Sequence, residues 1–435
     1  MFSEVLLRDI MVKKSGDNME REKWQLLLKA EGHNIAIFVK WMVIALVVGV
    51  LVGFIGVGFS YALKGALNFR MDHSWIVYFL PLGGLGIVWL YHSAGVKQSK
   101  GTNLVIQSIR TTENVPLKMA PLIFISTVVT HLFGGSAGRE GAALQLGGSL
   151  AHQLGRWWKL NDKDIHIITM CGMSAAFSAL FGTAVTAAVF PLEVISVGIM
   201  YYAALVPCAL ASVVAASLAA YLGVGAEGFM LKSIPALSPG GAIKVVIIAM
   251  LCALTARLFC LLMHWTQKQF SLHWPNQYLR IVIGGVLIIL LAQMFGRSYL
   301  GAGMDVIEET MAGEVFPAAF LLKMVFTAIT LGCGFKGGEI VPSFFIGATL
   351  GALIGSIIGF PSDFAAALGL ICVFCGVTNC PITSLLLSFE LFGFVGIGYF
   401  LIADVIAYML SGYESLYHEQ KIMYSKFTST FIGKE

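Results

Sequence analysis

Charge is what this sequence has least of. Asp, Glu, Lys and Arg together make up 12% of 435 residues, against 57% hydrophobic residues. Soluble domains usually carry about 25% charged residues, and half of that cannot cover a water-facing globule of this size. The shortage excludes an ordinary cytosolic enzyme, a nucleic-acid-binding protein and a disordered scaffold; a polytopic membrane protein remains. We read no secretory signal peptide at the start of the chain. The His-Glu-x-x-His pattern of zinc hydrolases does not occur. The eight cysteines all lie in apolar stretches, so they read as small core residues rather than a disulfide framework. That includes Cys372 and Cys375, whose C-x-x-C spacing has no second pair to complete a zinc site.

Hydropathy and glycine fill the gap. Mean hydropathy is +0.83, and the 48 glycines suit helices that approach one another closely in lipid. Several apolar runs fall short of the ~20 residues of a straight spanning helix, and others are long enough for two segments. Pro191, Pro207, Pro342 and Pro381 interrupt them. Uneven, broken spans are the pattern of transporters that build a site at mid-membrane. We divide the chain into a leader over 1–35 with a short amphipathic helix at 20–31, a membrane repeat over 36–225, a second over 240–412, and a C-terminal helix and tail over 413–435. The leader's lysines and arginines favour an inside N-terminus.

The repeat is legible in pieces. Thr186 and Glu193 in the first half correspond to Thr383 and Glu390 in the second. About fifty residues before each glutamate lies a glycine-rich break: Gly134-Gly-Ser-Ala-Gly-Arg-Glu140-Gly in one half, Gly332-Cys-Gly-Phe-Lys-Gly-Gly-Glu339 in the other. Glu193 is the only Asp, Glu, Lys or Arg between Ile165 and Ala226. A lone charge at membrane depth is functional or paired, and the symmetry favours Glu193 and Glu390 each capping or bridging a helix inside its own repeat. Glu140 and Glu339 differ, because each sits where a break opens a new helix. Free amides and the helix dipole there make an anion site. A carboxylate in that place acts as a tethered anion and, once protonated, yields the site. Ser136 completes a Gly-x-Ser-x-Gly pattern, but a nucleophile elbow needs a strand–turn–helix, and this chain shows no strand–helix alternation.

Gly138-Arg-Glu140-Gly-Ala-Ala-Leu-Gln145 resembles the GREGPxVQ signature of the CLC anion channels and proton-coupled antiporters. Gly334-Phe-Lys336-Gly-Gly-Glu-Ile-Val-Pro342 resembles that family's GKxGGxFxP segment, and the likeness runs in order from about residue 36 to residue 420. It implies an all-α membrane protein with a CLC-type fold of two inverted repeats and broken, tilted helices, working as a homodimer with one pathway per subunit. It implies no cofactor and no metal. The departures from the pattern resemble the fluoride/proton antiporter subclass. Thr102 stands where the GSGIP serine would be, Ala142 replaces a proline, Val194 takes the inner proton glutamate's place, and Glu339 appears where chloride-type members are apolar. The implied function is proton-coupled fluoride export across a bacterial inner membrane, with a chloride/proton antiporter or a passive channel as alternatives. The implied roles are Glu140 as external gate and proton carrier and Glu339 as a central acid. Thr102, Asn103, the amides of Ile340 and Val341, and the inner hydroxyl of Tyr417 (or Tyr413) would line the anion site. A fixed charge at Glu339 would repel the anion, so Glu339 should hold a proton while fluoride is bound. Phe344 and Phe345 read as packing.

Overall fold

The computed structural model describes residues 17–96, 101–111 and 113–433. Among these are sixteen α-helices and one two-stranded sheet of two residues per strand. The first half holds α1 (Asp17–Asp72), α2 (Leu80–Ser93), α3 (Thr102–Arg110), α4 (Met119–Leu132), α5 (Glu140–Trp157), α6 (Asp162–Phe181), α7 (Ala184–Glu193) and α8 (Leu205–Tyr221). The second holds α9 (Pro239–His273), α10 (Gln277–Phe295), α11 (Met304–Met311), α12 (Ala319–Cys333), α13 (Ile340–Ile358), α14 (Ser362–Thr378), α15 (Pro381–Phe392) and α16 (Ile397–Leu410). Seven helical spans among the described residues are long and apolar enough to cross a membrane, and six apolar helices are shorter, at 10–17 residues. The protein is thus a multi-pass membrane protein with broken spans. The expected helix at 20–31 is not separate: its residues are the first turns of the single helix α1, and residues 1–16 of the leader lie outside the described part.

Burial is arranged for lipid. Large apolar side chains face outward, including Trp89 (64% exposed), Leu254 (56%) and Ile357 (74%), an arrangement no soluble monomer of this size sustains. Inside, α5, α6, α13 and α14 are buried along most of their length. Close approach of these central helices depends on glycine. A Cβ on Gly147 would drive into the carbonyl oxygen of Gly172, joining α5 to α6. A Cβ on Gly347 would drive into that of Gly369, joining α13 to α14. The same small-residue contact therefore recurs in both halves.

The C-terminal helix expected after residue 412 does not form. Gly412 has φ +72° and turns the chain beyond α16, and the next backbone groups bond to other elements instead of to one another. Leu416 N–H donates to Val377 O at 3.0 Å. β2 (Lys421–Ile422) pairs in parallel with β1 (Ser196–Val197). The Gln420 amide donates to Val194 O at 2.9 Å and Thr378 O at 2.7 Å. The tail is a strap across both halves.

Candidate functional site

Both glycine-rich breaks end where a buried helix begins, and they meet. Gly138 N–H donates to Gly338 O and Gly338 N–H to Gly138 O, each at 2.7 Å. Around this pair the contacts are reciprocal. Thr330 Oγ1 accepts from Ser136 N–H at 3.1 Å, and Thr130 Oγ1 accepts from Lys336 N–H at 3.3 Å. Each half's threonine thus holds the other half's break. The bridge is antiparallel and reciprocal, so Gly138 and Gly338 are counterparts, and Glu140, which opens α5, corresponds to Ile340, which opens α13. The two carboxylates are neighbours at the centre, not counterparts.

Glu140 is fully buried at the start of α5. Its Oε2 accepts the Val341 N–H at 3.1 Å, so it lies on the first turn of α13. Amides there have no helical partner, and the dipole favours negative charge. Oε1 of Glu140 meets no partner among the described residues. Ile340 is the first residue of α13 and Glu339 the residue before it.

Beside these groups lies a cavity of about 120 Å³ whose lining includes Thr102, Asn103, Gln145, Lys336, Glu339 and Tyr417. Thr102 begins α3 and donates to Gly141 O at 3.2 Å. Gln145, one turn into α5, donates to Thr102 Oγ1 at 3.4 Å. Oε2 of Glu339 and the buried hydroxyl of Tyr417 have no partner among the described residues. Asn103 also reaches the cavity, but its Oδ1 accepts from Glu419 N–H at 3.2 Å and so holds the tail. Tyr413 is elsewhere, with its hydroxyl against Ser425 Oγ at 2.9 Å. The geometry therefore gathers Glu140, Glu339, Thr102, Asn103, Ile340, Val341 and Tyr417 together and leaves Tyr413 out.

A second cavity, of about 550 Å³, lies at the far end of α1, with Arg70, His131, Arg139 and Asp305 in its lining. Arg139 pairs with Glu227 and rests over the Phe181 ring at 5.4 Å. Arg139, the residue before Glu140, lines this second cavity, which shares no lining residue with the one at Tyr417.

The profile of the voltage-gated chloride channel family matches residues 83–412. The chain belongs to that family. It is 36% identical over 395 residues to a chloride/fluoride channel protein of Pseudomonas syringae pv. tomato, covering 89% of this chain and 87% of that one. It is 23% identical to an H⁺/Cl⁻ exchange transporter of Klebsiella pneumoniae, covering 80% of each. Among solved structures it resembles a CLC-type fluoride/proton antiporter, with a TM-score of 0.86, 33% identity, and 88% of this chain and 98% of that one covered.

Within this CLC fold, Glu193 and Glu390 cap helices, but helices of the opposite repeat and not, as the sequence suggested, of their own. Glu193 accepts from Ile382 N–H at 3.0 Å, Thr383 N–H at 2.8 Å and the Thr383 hydroxyl at 2.6 Å. Glu390 accepts from Val185 and Thr186 N–H, both at 2.8 Å. Each half's late glutamate caps the first turn of the other half's short helix, α15 for Glu193 and α7 for Glu390, a use of N-terminal amides that offsets the burial of charge. Ser136 faces Thr327 Oγ1 at 3.1 Å within the helix break, not on a strand–turn–helix. Cys372 and Cys375 point their thiols at the Ala403 and Asp404 carbonyls.

Sequence reasoning missed Gln145 as a site residue, although the motif contains it. Its spacing of four from Gly141 puts both on one helix face. It also missed His264, Gln267 and His418, which share the cavity lining. A histidine at 264, where the apolar stretch of α9 gives way to Thr266-Gln267-Lys268-Gln269, was the available signal.

Proposed function

We propose that this protein exports fluoride from a bacterial cell, coupling fluoride exit to proton entry across the inner membrane. The observation that carries this reading is Glu140. Its carboxylate sits on the free amide of Val341, where a transported anion would sit, between a cavity on the Arg139 side and one on the Tyr417 side. Protonation weakens its claim on the amide and frees the place for an anion, so a proton and an anion alternate at one position. Glu339 adds a second carboxyl at the inner cavity. A small, tightly hydrated anion needs close donors in place of water; the Thr102 and Tyr417 hydroxyls, the α13 amides and a protonated Glu339 are of that kind. The likeness to a fluoride/proton antiporter and to a chloride/fluoride channel protein supports the choice of anion.

Orientation follows from charge. Lys40 of α1 bonds to Asp164 at 2.5 Å, and the ring of His166, also on α6, lies 3.3 Å from the carbonyl of Thr111, just past α3. Arg110 at the end of α3 pairs with Glu419 at 3.1 Å. The basic leader, α3 and the tail therefore share one face, which the positive-inside tendency makes the inner one. Lys40 to Arg70 along α1 spans about 45 Å at ~1.5 Å per residue, so the Arg139-side cavity opens outward. The repeats occupy 36–225 and 240–412, and the pathway runs within one chain, so the homodimer holds two.

The test uses liposomes loaded with fluoride or chloride, following anion efflux by electrode and proton uptake by a pH dye. Fluoride efflux with negligible chloride efflux, and proton uptake lost in Glu140→Gln, is the expected result. Equal fluoride and chloride flux refutes the choice of anion, and flux without proton movement makes the protein a channel.

A further inference from the structure

Given coupled transport, protons that pass Glu140 and Glu339 have to reach water on the inner side. The inner cavity contains one arrangement suited to that step. His264, on α9, and His418, in the tail directly after Tyr417, both line it. Their rings are stacked, with centroids 3.7 Å apart and planes 28° from parallel. They differ in exposure: His418 is exposed, whereas His264 is half-buried, and the buried Nε2 of His264 has no hydrogen-bond partner among the described residues. One imidazole therefore faces water, its neighbour faces the cavity of Glu339, and nothing but van der Waals distance separates them.

We propose that the His264–His418 pair is the inner proton station of this transporter. A proton leaving the Glu339 carboxyl is taken by a ring nitrogen of His264, passes to His418 through a bridging water at the ring edges, and leaves to the inner solution; the reverse path loads it. Imidazole is the side chain suited to taking and giving protons near neutral pH. Two imidazolium rings at this separation repel, so a proton on one ring opposes a proton on the other. The ionisable groups around the pair fit the role. Lys336 and Glu339 face it from the second break, Tyr417 adjoins it in the tail, and Gln267 beside it on α9 does not titrate. Glu419 is engaged by Arg110. The ring stack also pins the tail to α9 and so holds Tyr417 in the cavity wall.

The proposal rests on the coupled-antiport reading and is tested apart from it. Wild type, His418→Gln and His264→Gln/His418→Gln are compared in fluoride-loaded liposomes, with proton and fluoride fluxes recorded as the pH on the tail side is varied. A positioned proton-transfer group is typically worth on the order of 100-fold or more, so proton flux in the double variant should drop by about 100-fold, with fluoride turnover falling alongside. Its dependence on tail-side pH should flatten. Added imidazole on that side should restore flux, a rescue that a merely structural stack would not show. His418→Gln replaces an exposed ring and decides the matter if the double variant fails to fold. Wild-type proton flux and an unchanged pH profile in His418→Gln, or lost flux that imidazole does not restore, overturns the proposal. A wild-type protein that moves fluoride without protons refutes the antiport reading instead.

Discussion

Replacing Glu193 by Gln tests the cross-repeat capping most directly. The side chain keeps its size but loses its charge and one acceptor. Oε2 serves both the amide and the hydroxyl of Thr383, whereas Oε1 serves only Ile382 N–H. The substituted amide will keep its oxygen toward Thr383 and turn its NH₂ against the Ile382 donor. One hydrogen bond to a charged group is then lost, at about 1.5–3 kcal/mol, and the remaining two become neutral bonds of roughly half the strength. The sum is about 3–6 kcal/mol. Glu390→Gln should cost less, about 1–2 kcal/mol, because Glu390 makes two bonds and is only half-buried, and Val185, beside it, is exposed. Thermal unfolding in detergent, followed by tryptophan fluorescence, converts these to a fall of about 3–6 °C for Glu193→Gln and at most half that for Glu390→Gln. An unchanged midpoint for Glu193→Gln, or a larger fall for Glu390→Gln, refutes the reasoning.

Three further outcomes follow from the centre of the molecule. A Cβ at Gly338 would lie 2.7 Å from Gly141 N and 2.8 Å from Glu140 N, backbone that cannot yield, so Gly338→Ala should abolish fluoride flux in liposomes. Glu339→Gln should remove proton coupling, because the amide still donates to an anion but carries no proton away; intact coupling measured with a pH dye would contradict the central-acid role. Tyr417→Phe should weaken fluoride binding by about 0.5–1.5 kcal/mol, the typical net value of one hydrogen bond, or up to roughly tenfold in Kd by calorimetry. Tyr413→Phe should leave it unchanged, since that hydroxyl serves the tail at Ser425 and Lys426.

The sequence made the centre of the site readable because its chemistry is local. A glycine-rich break followed at once by a glutamate and a buried helix declares free amides and a competing carboxylate without any knowledge of the fold. That Glu193 and Glu390 cap helices was legible for a related reason, as lone charges in apolar runs at equal places in two halves, but that each caps the opposite half was not. What escaped depended on distant pairing. The register of the breaks is set by the Gly138–Gly338 bonds, which pair residues 200 positions apart and which the sequence does not show. The tail looked helical because nothing local showed that its amides bond to Val377 and to the β1 strand. His264 and His418 are 154 positions apart, and only the strap brings their rings together.

The mutual hydrogen bonds of the two breaks carry a mechanical consequence. With Gly138 and Gly338 tied, each break held by the opposite half's threonine, and the first turns of α7 and α15 each capped by the other half's glutamate, a swing of one half against the other would have to rupture all of these ties at once. Turnover is thereby assigned to small parts, the Glu140 side chain and the groups around the inner cavity, while the lipid-facing outline stays constant. A cycle of that kind performs almost no work on the surrounding bilayer. Its rate should stay flat across membranes of differing thickness and lateral pressure, where a rocking carrier would slow.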